Sequence, residues 1–132
     1  MIGIVIVSHS HMLAEGLKQL AAELSRDTVR IATAGGLDET TTGTSADRIA
    51  RAIQEADSAD GVVVLFDLGS ALLSAQMAVE MFSAEQQSGI RLIDAPLVEG
   101  TLIASVEASL GRSLDEVRHA AECTRNTKKI TG

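Results

Sequence analysis

An open, mainly parallel four-stranded sheet in the order 2-1-3-4, flanked by helices on both faces, is the fold this sequence predicts. Three observations lead there. Four short β-type runs recur, at 2–7, 28–33, 61–66 and 90–95, each followed by a stretch long enough for a helix, which is the pattern of βαβ units. The runs IGIVIV and GVVVLF are almost continuously apolar, as central strands covered on both faces require, whereas TVRIAT alternates like an edge strand. The chain has 132 residues, 45% hydrophobic and 22% charged, the size and composition of one domain with a real core, so a single domain over 1–132 is expected.

Between the first two runs, Met12, Leu13, Leu17, Leu20 and Leu24 recur at helical spacing and predict an amphipathic crossover helix with those residues buried. A second helix is expected from Ser45, with Thr44 to Asp47 as a capping box and Ala46, Ile49, Ala50 and Ile53 as the buried stripe. The third follows Ser70 as its N-cap and buries Leu72, Ala75, Val79 and Phe82. A fourth spans 98–110 and a fifth 114–125, separated at Gly111 and capped by Ser113, and the tail after them is expected to fray. The glycine- and threonine-rich stretch 34–43 is a long surface loop.

Right-handed crossovers return all four strands in one direction, so the loops after them gather at one edge, where open α/β sheets bind ligands. The reactive side chains there fall in two loops, Ser8-His9-Ser10-His11 and Asp67-Leu68-Gly69-Ser70. In the order 2-1-3-4 these strands are neighbours, and His9 and Asp67 face each other. A carboxylate that accepts from imidazole Nδ1–H fixes the tautomer and leaves Nε2 free as base, ligand or nucleophile. Both loops open helices whose bare N–H groups attract anions. Ser8 and Ser10 read otherwise as turn residues, His11 as a solvated member of a first helical turn, and His119 as surface.

Other chemistries find little support. Aromatic residues make up 2% of the chain, and 11 Lys and Arg against 18 Asp and Glu leave a net charge of -7, so no nucleic acid partner is expected. No run approaches a membrane span and no basic flank precedes an apolar N-terminal segment, so a cytoplasmic protein without a membrane partner is expected. The lone Cys123 has no disulfide partner, and no metal-ligand spacing occurs. Neither G-x-x-x-x-G-K-[ST] nor G-x-G-x-x-G is present, so no bound nucleotide or other cofactor is expected.

The segments GIVIVSHSHMLAEGL, VVVLFDLGSALLSAQMAVEM and APLVEGTLIAS together resemble the DhaM family, the phosphotransferase-system (PTS) subunits of bacterial dihydroxyacetone kinase, which is similar in turn to the enzyme IIA domain of mannose-type transporters. The resemblance covers about residues 1–110. It implies a phosphocarrier that receives a phosphoryl group from HPr on a histidine and passes it to ADP held on the DhaL subunit, which then phosphorylates dihydroxyacetone on DhaK. By motif the phosphorylated histidine falls on His9 and its aspartate on Asp67, with Gly69 and Ser70 at the phosphate; Ser10, beside the bare N–H groups of the first loop, is expected to contact it as well. The family further implies a homodimer and, since no HPr-like segment follows within these residues, a separate HPr. The motifs SHS and DLGSALLSA resemble the kinase branch more than a mannose-type sugar-transport enzyme IIA, which together with a regulatory domain of the same fold is the alternative.

Overall fold

The computed structural model describes residues 1–131. Its sheet runs β2-β1-β3-β4 and all three pairings are parallel, with β1 at Gly3–Ser8, β2 at Ile31–Gly35, β3 at Val62–Phe66 and β4 at Ile90–Leu92. The expected order is therefore the observed one. The second run starts three residues later than its sequence pattern suggests, because Thr28 turns back instead, its hydroxyl donating to the Ser25 carbonyl. The fourth run pairs only through Leu92.

Strand alternation divides the core into two layers. Ile4, Ile6, Val63 and Leu65 face α1 (His11–Leu24), α5 (Leu97–Ser109) and α6 (Leu114–Cys123), while Val5, Val7, Val62 and Val64 face α2 (Ala46–Ala56) and α3 (Ala71–Glu80). All eight strand residues are sealed from solvent. A short α4, Ala84–Gln87, lies before β4 and was not expected from the sequence; a reciprocal cap between Ser83 and Gln86 defines it.

Three of the expected helix faces differ. On α1 the buried stripe is Ala14, Leu17 and Ala21, and Met12, Leu13, Leu20 and Leu24 are exposed, Met12 by 81%. The reason is close approach at the start of the helix: a Cβ on Gly35 would stand 2.7 Å from the His11 Cα and 2.9 Å from the Ala14 Cβ, so position 14 takes only a small side chain against the sheet. On α3 the buried residues are Ala71, Ala75 and Ala78, with Leu72 at the surface and Val79 and Phe82 partly buried. On α2 the buried residues are Ile49, Ala52, Ile53 and Ala56, with Ala46 and Ala50 only partly buried, and Ser45 rather than Thr44 is the N-cap, accepting from Arg48 N–H. The cap at Ser113 is as expected, reinforced by Glu116.

The two chain ends leave at opposite edges. The N-terminal ammonium pairs with Asp60 in the turn before β3. After α6 a 3₁₀ turn, Thr124–Asn126, leads to an exposed tail with no further helix or strand among the described residues; Arg125 pairs with Asp94, and Lys129 with Glu99 in the first turn of α5. Gly132, also assigned to the frayed tail by the sequence, lies outside the described residues.

Candidate functional site

The two reactive loops stand side by side because their strands do, Val7 being the register partner of Phe66. His9 Nδ1 lies 2.9 Å from Asp67 Oδ1, and the His9 backbone N–H donates to Asp67 Oδ2 at 2.9 Å. The same carboxylate accepts from the Ser8 hydroxyl at 2.9 Å and the Leu68 N–H at 2.7 Å. Burial pushes the Asp67 carboxyl up, and these bonds from His9, Ser8 and Leu68 together outweigh it, holding the group below its ordinary value. Asp67 is thus ionised at neutral pH, an acceptor only, so the proton between the pair sits on His9 Nδ1 and Nε2 bears the lone pair.

Nε2 faces the Ser70 hydroxyl at 3.0 Å, which donates to it. The sequence assigned that hydroxyl to a helix cap; the structure gives α3 no side-chain cap, because Ser70 is already helical in its backbone and its side chain turns to the histidine instead. The N–H groups of Gly69 and Ser70 have no hydrogen-bond partner among the described residues. A Cβ on Gly69 would meet nothing within 4 Å, so this edge is open. Ser10 stands differently: it caps α1, accepting from Leu13 N–H at 3.3 Å, while its own N–H donates to the Ser8 hydroxyl.

Ser8, read as a turn residue, is fully buried as the last residue of β1 and links Asp67 to Ser10. A hydroxyl at the buried end of an apolar strand has to find partners, and that is the signal which marks it. The loop 36–45 is fastened to the site through Gly36 N–H to the Ser8 carbonyl and Gly43 N–H to the His9 carbonyl, each within 3.0 Å. His11 borders a hollow of about 340 Å³ with Thr40, Thr41 and Thr42 and is only partly exposed, its Nδ1 buried. Among the described residues no three His, Cys, Asp or Glu side chains are grouped to hold a metal ion, and no helix is long and apolar enough to cross a membrane.

Residues 3–118 match the EIIA-man family, described as the PTS system fructose IIA component. The chain belongs to the EIIA-man family. Among its EIIA-man relatives, the PEP-dependent dihydroxyacetone kinase, phosphoryl donor subunit DhaM, of Escherichia coli (strain K12) is 45% identical over 95% of this chain and 28% of that protein. The subunit of the same name from Listeria innocua serovar 6a, for dihydroxyacetone kinase 2, is 38% identical over 89% of this chain and 94% of its own length. The chain therefore spans under a third of the Escherichia coli protein and nearly all of the Listeria one. The crystal structure of EF1359, a protein of unknown function, superposes with a TM-score of 0.85 at 29% identity, covering 99% of this chain and 100% of its own.

Proposed function

We propose that this domain is the phosphohistidine carrier of a PEP-dependent dihydroxyacetone kinase. His9 receives a phosphoryl group from phosphorylated HPr and passes it to ADP bound on a DhaL subunit, which phosphorylates dihydroxyacetone on DhaK. The observation that carries this reading is the orientation of His9, with Nδ1 2.9 Å from Asp67 Oδ1 and Nε2 3.0 Å from the Ser70 hydroxyl at an edge left open beside Gly69. The DhaM names of relatives matching along most of the chain supply the substrate.

In the accepting step the Nε2 lone pair attacks phosphorus, the P–N bond of the donor phosphohistidine breaks, and the donor imidazole leaves with that electron pair. The His9 ring becomes cationic, and the Asp67 carboxylate stabilises it through Nδ1–H. Ser70 Oγ–H and the free N–H groups of Gly69 and Ser70 then donate to the phosphoryl oxygens, aided by the positive end of α3. Ser10 caps α1 through Leu13 N–H with a hydroxyl proton to spare, and we assign it as a further donor to the phosphoryl group. In the second step a terminal phosphate oxygen of ADP attacks, and the P–Nε2 bond breaks. The domain works as the phosphotransfer subunit of the kinase without holding a cofactor or nucleotide of its own.

Protein partners, rather than a small substrate, suit a reactive ring on an open edge flanked by Met12 and Leu13 on one side and Leu68 and Leu73 on the other, all exposed. The apolar surface at the far end of α3, Met77 and Met81, similarly suits pairing with a second copy, and light scattering would report a dimer mass.

Incubation with phosphoenolpyruvate, enzyme I and HPr tests the reading. It should place one acid-labile phosphoryl group on His9, discharged by ADP-loaded DhaL but not by free Mg-ADP. Undiminished labelling of His9→Ala overturns it.

A further inference from the structure

We infer that Arg48 is the cation that compensates the phosphoryl group on His9, acting as a positioning residue for the charge that arrives there. The inference rests on the carrier reading and deepens it.

The segments that follow the four strands, 8–14, 35–48, 67–74 and 93–99, form the functional edge. They hold six carboxylates, Asp38, Glu39, Asp47, Asp67, Asp94 and Glu99, and one Lys or Arg, which is Arg48. Asp94 and Glu99 are neutralised by Arg125 and Lys129 from the tail. Asp38 is engaged by the hydroxyls and N–H groups of Thr40 and Thr41. Asp67, on the Nδ1 side of His9, stays negative. A phosphoryl dianion added at Nε2 therefore arrives at an edge already rich in negative charge.

Arg48 is mounted to answer it. Its backbone N–H is held by Ser45 Oγ at 3.3 Å, and Nη2 donates to the Gly35 carbonyl at 3.2 Å. Gly35 is the register partner of Ser8, the residue before His9, and the loop leading to Arg48 is tied to the His9 carbonyl by Gly43. The guanidinium is thus braced from α2 onto the end of β2, across the loop that touches the reactive residue. Among the described residues no carboxylate lies within 4 Å of it, since none of the ion pairs includes it, and Nε is buried with no hydrogen-bond partner. A half-buried guanidinium with no carboxylate partner keeps its charge uncompensated and favours an anion nearby. A phosphoryl group at the adjacent strand end is that anion. The arginine then favours the dianion and raises the share of His9 that holds phosphate at equilibrium.

Phosphoramidate tests this without any protein partner: its P–N bond breaks, ammonia leaves and the P–Nε2 bond forms. The labelled protein, R48Q and R48K are then titrated by phosphorus NMR, which reads the ionisation of the phosphoryl group itself. Removing the cation disfavours the dianion, so the midpoint in R48Q should rise by about 0.5–1 pH unit, a factor of about three to ten, while R48K stays near the unaltered protein. A structural role alone would lower the melting temperature and leave the midpoint in place, and that result overturns the inference. If R48Q does not fold, R48K decides, because it keeps the charge without the guanidinium fork; a midpoint raised by half a unit there overturns it equally. Failure of phosphoramidate to label His9 in the unaltered protein overturns the carrier reading, and this inference with it.

Discussion

At the scale of single residues, the site is a carboxylate with four donors and an imidazole held between two oxygens. Asp67 orients the ring and balances its charge once phosphorylated, so Asp67→Ala should fold yet transfer about 10²–10⁴-fold more slowly, as measured by rapid-quench labelling from phospho-HPr. Near-normal transfer would remove Asp67 from the mechanism. Ser8 gives a finer probe, because its hydroxyl is one of the bonds that hold the Asp67 carboxyl down. The sign follows from the direction of that shift. A depressed folded value means that Asp67 favours the folded, competent state above its unfolded value, and that this contribution disappears as the pH falls through the lower folded one. In Ser8→Ala the carboxyl protonates at higher pH, so the acid limb of both the transfer profile and the stability curve should move upward, with little change at neutral pH. An acid limb that stays where it was would show that the remaining donors suffice.

Helices and strands place these residues through close contacts that side-chain size alone does not reveal. Gly35 is the one that bears directly on the His9 loop: an alanine there meets the Ser10 carbonyl at 2.8 Å and the His11 Cα at 2.7 Å, pushing the start of α1, and with it the His9 loop, off the sheet. Gly35→Ala should destabilise by about 1–3 kcal/mol and slow labelling of His9, read by thermal melting alongside phosphoramidate uptake. Gly69→Ala, whose Cβ meets nothing, should melt within about 0.5 kcal/mol of the unaltered protein. Equal melting of both variants would contradict the packing described. The same contacts explain what could be read in advance. Apolar runs and helix spacing disclosed the strands, their order and five of the helices, and the polar residues at the ends of β1 and β3 disclosed His9 and Asp67. The leucine spacing of α1 points to another face than the buried one, because the short distance to Gly35 selects Ala14 over a larger side chain. Ser70 holds the N-cap position of α3 but turns its hydroxyl to His9, and Ser8 bonds across to Asp67 rather than within a turn, since a serine's partner depends on which loop lies opposite it. Arg48 was invisible for a similar reason: nothing in its own neighbourhood of sequence says that it reaches back to β2.

For the molecule as a whole, the sheet has one reactive edge and one inert edge, and the chain ends are divided between them. Met1 is pinned to Asp60 at the edge where the strands begin, and the tail is pinned to Asp94 and Glu99 at the edge where they end. The two edges are separated by the height of a five-residue strand, about 17 Å. This arrangement makes the termini unequal as points of attachment. A phosphoryl-donating domain joined behind Lys129 through a short flexible linker starts its path on the same edge as His9, at an effective concentration on the order of millimolar. Its transfer rate should be first-order and independent of dilution. The same domain joined ahead of Met1 through an equally short linker begins on the far side and must meet His9 of another molecule, so its rate should fall in proportion as the protein is diluted. Stopped-flow labelling of the two fusions over a hundredfold concentration range would separate these behaviours. In that respect the ionic ties at Asp94 and Glu99 determine which end of the chain can be a leash.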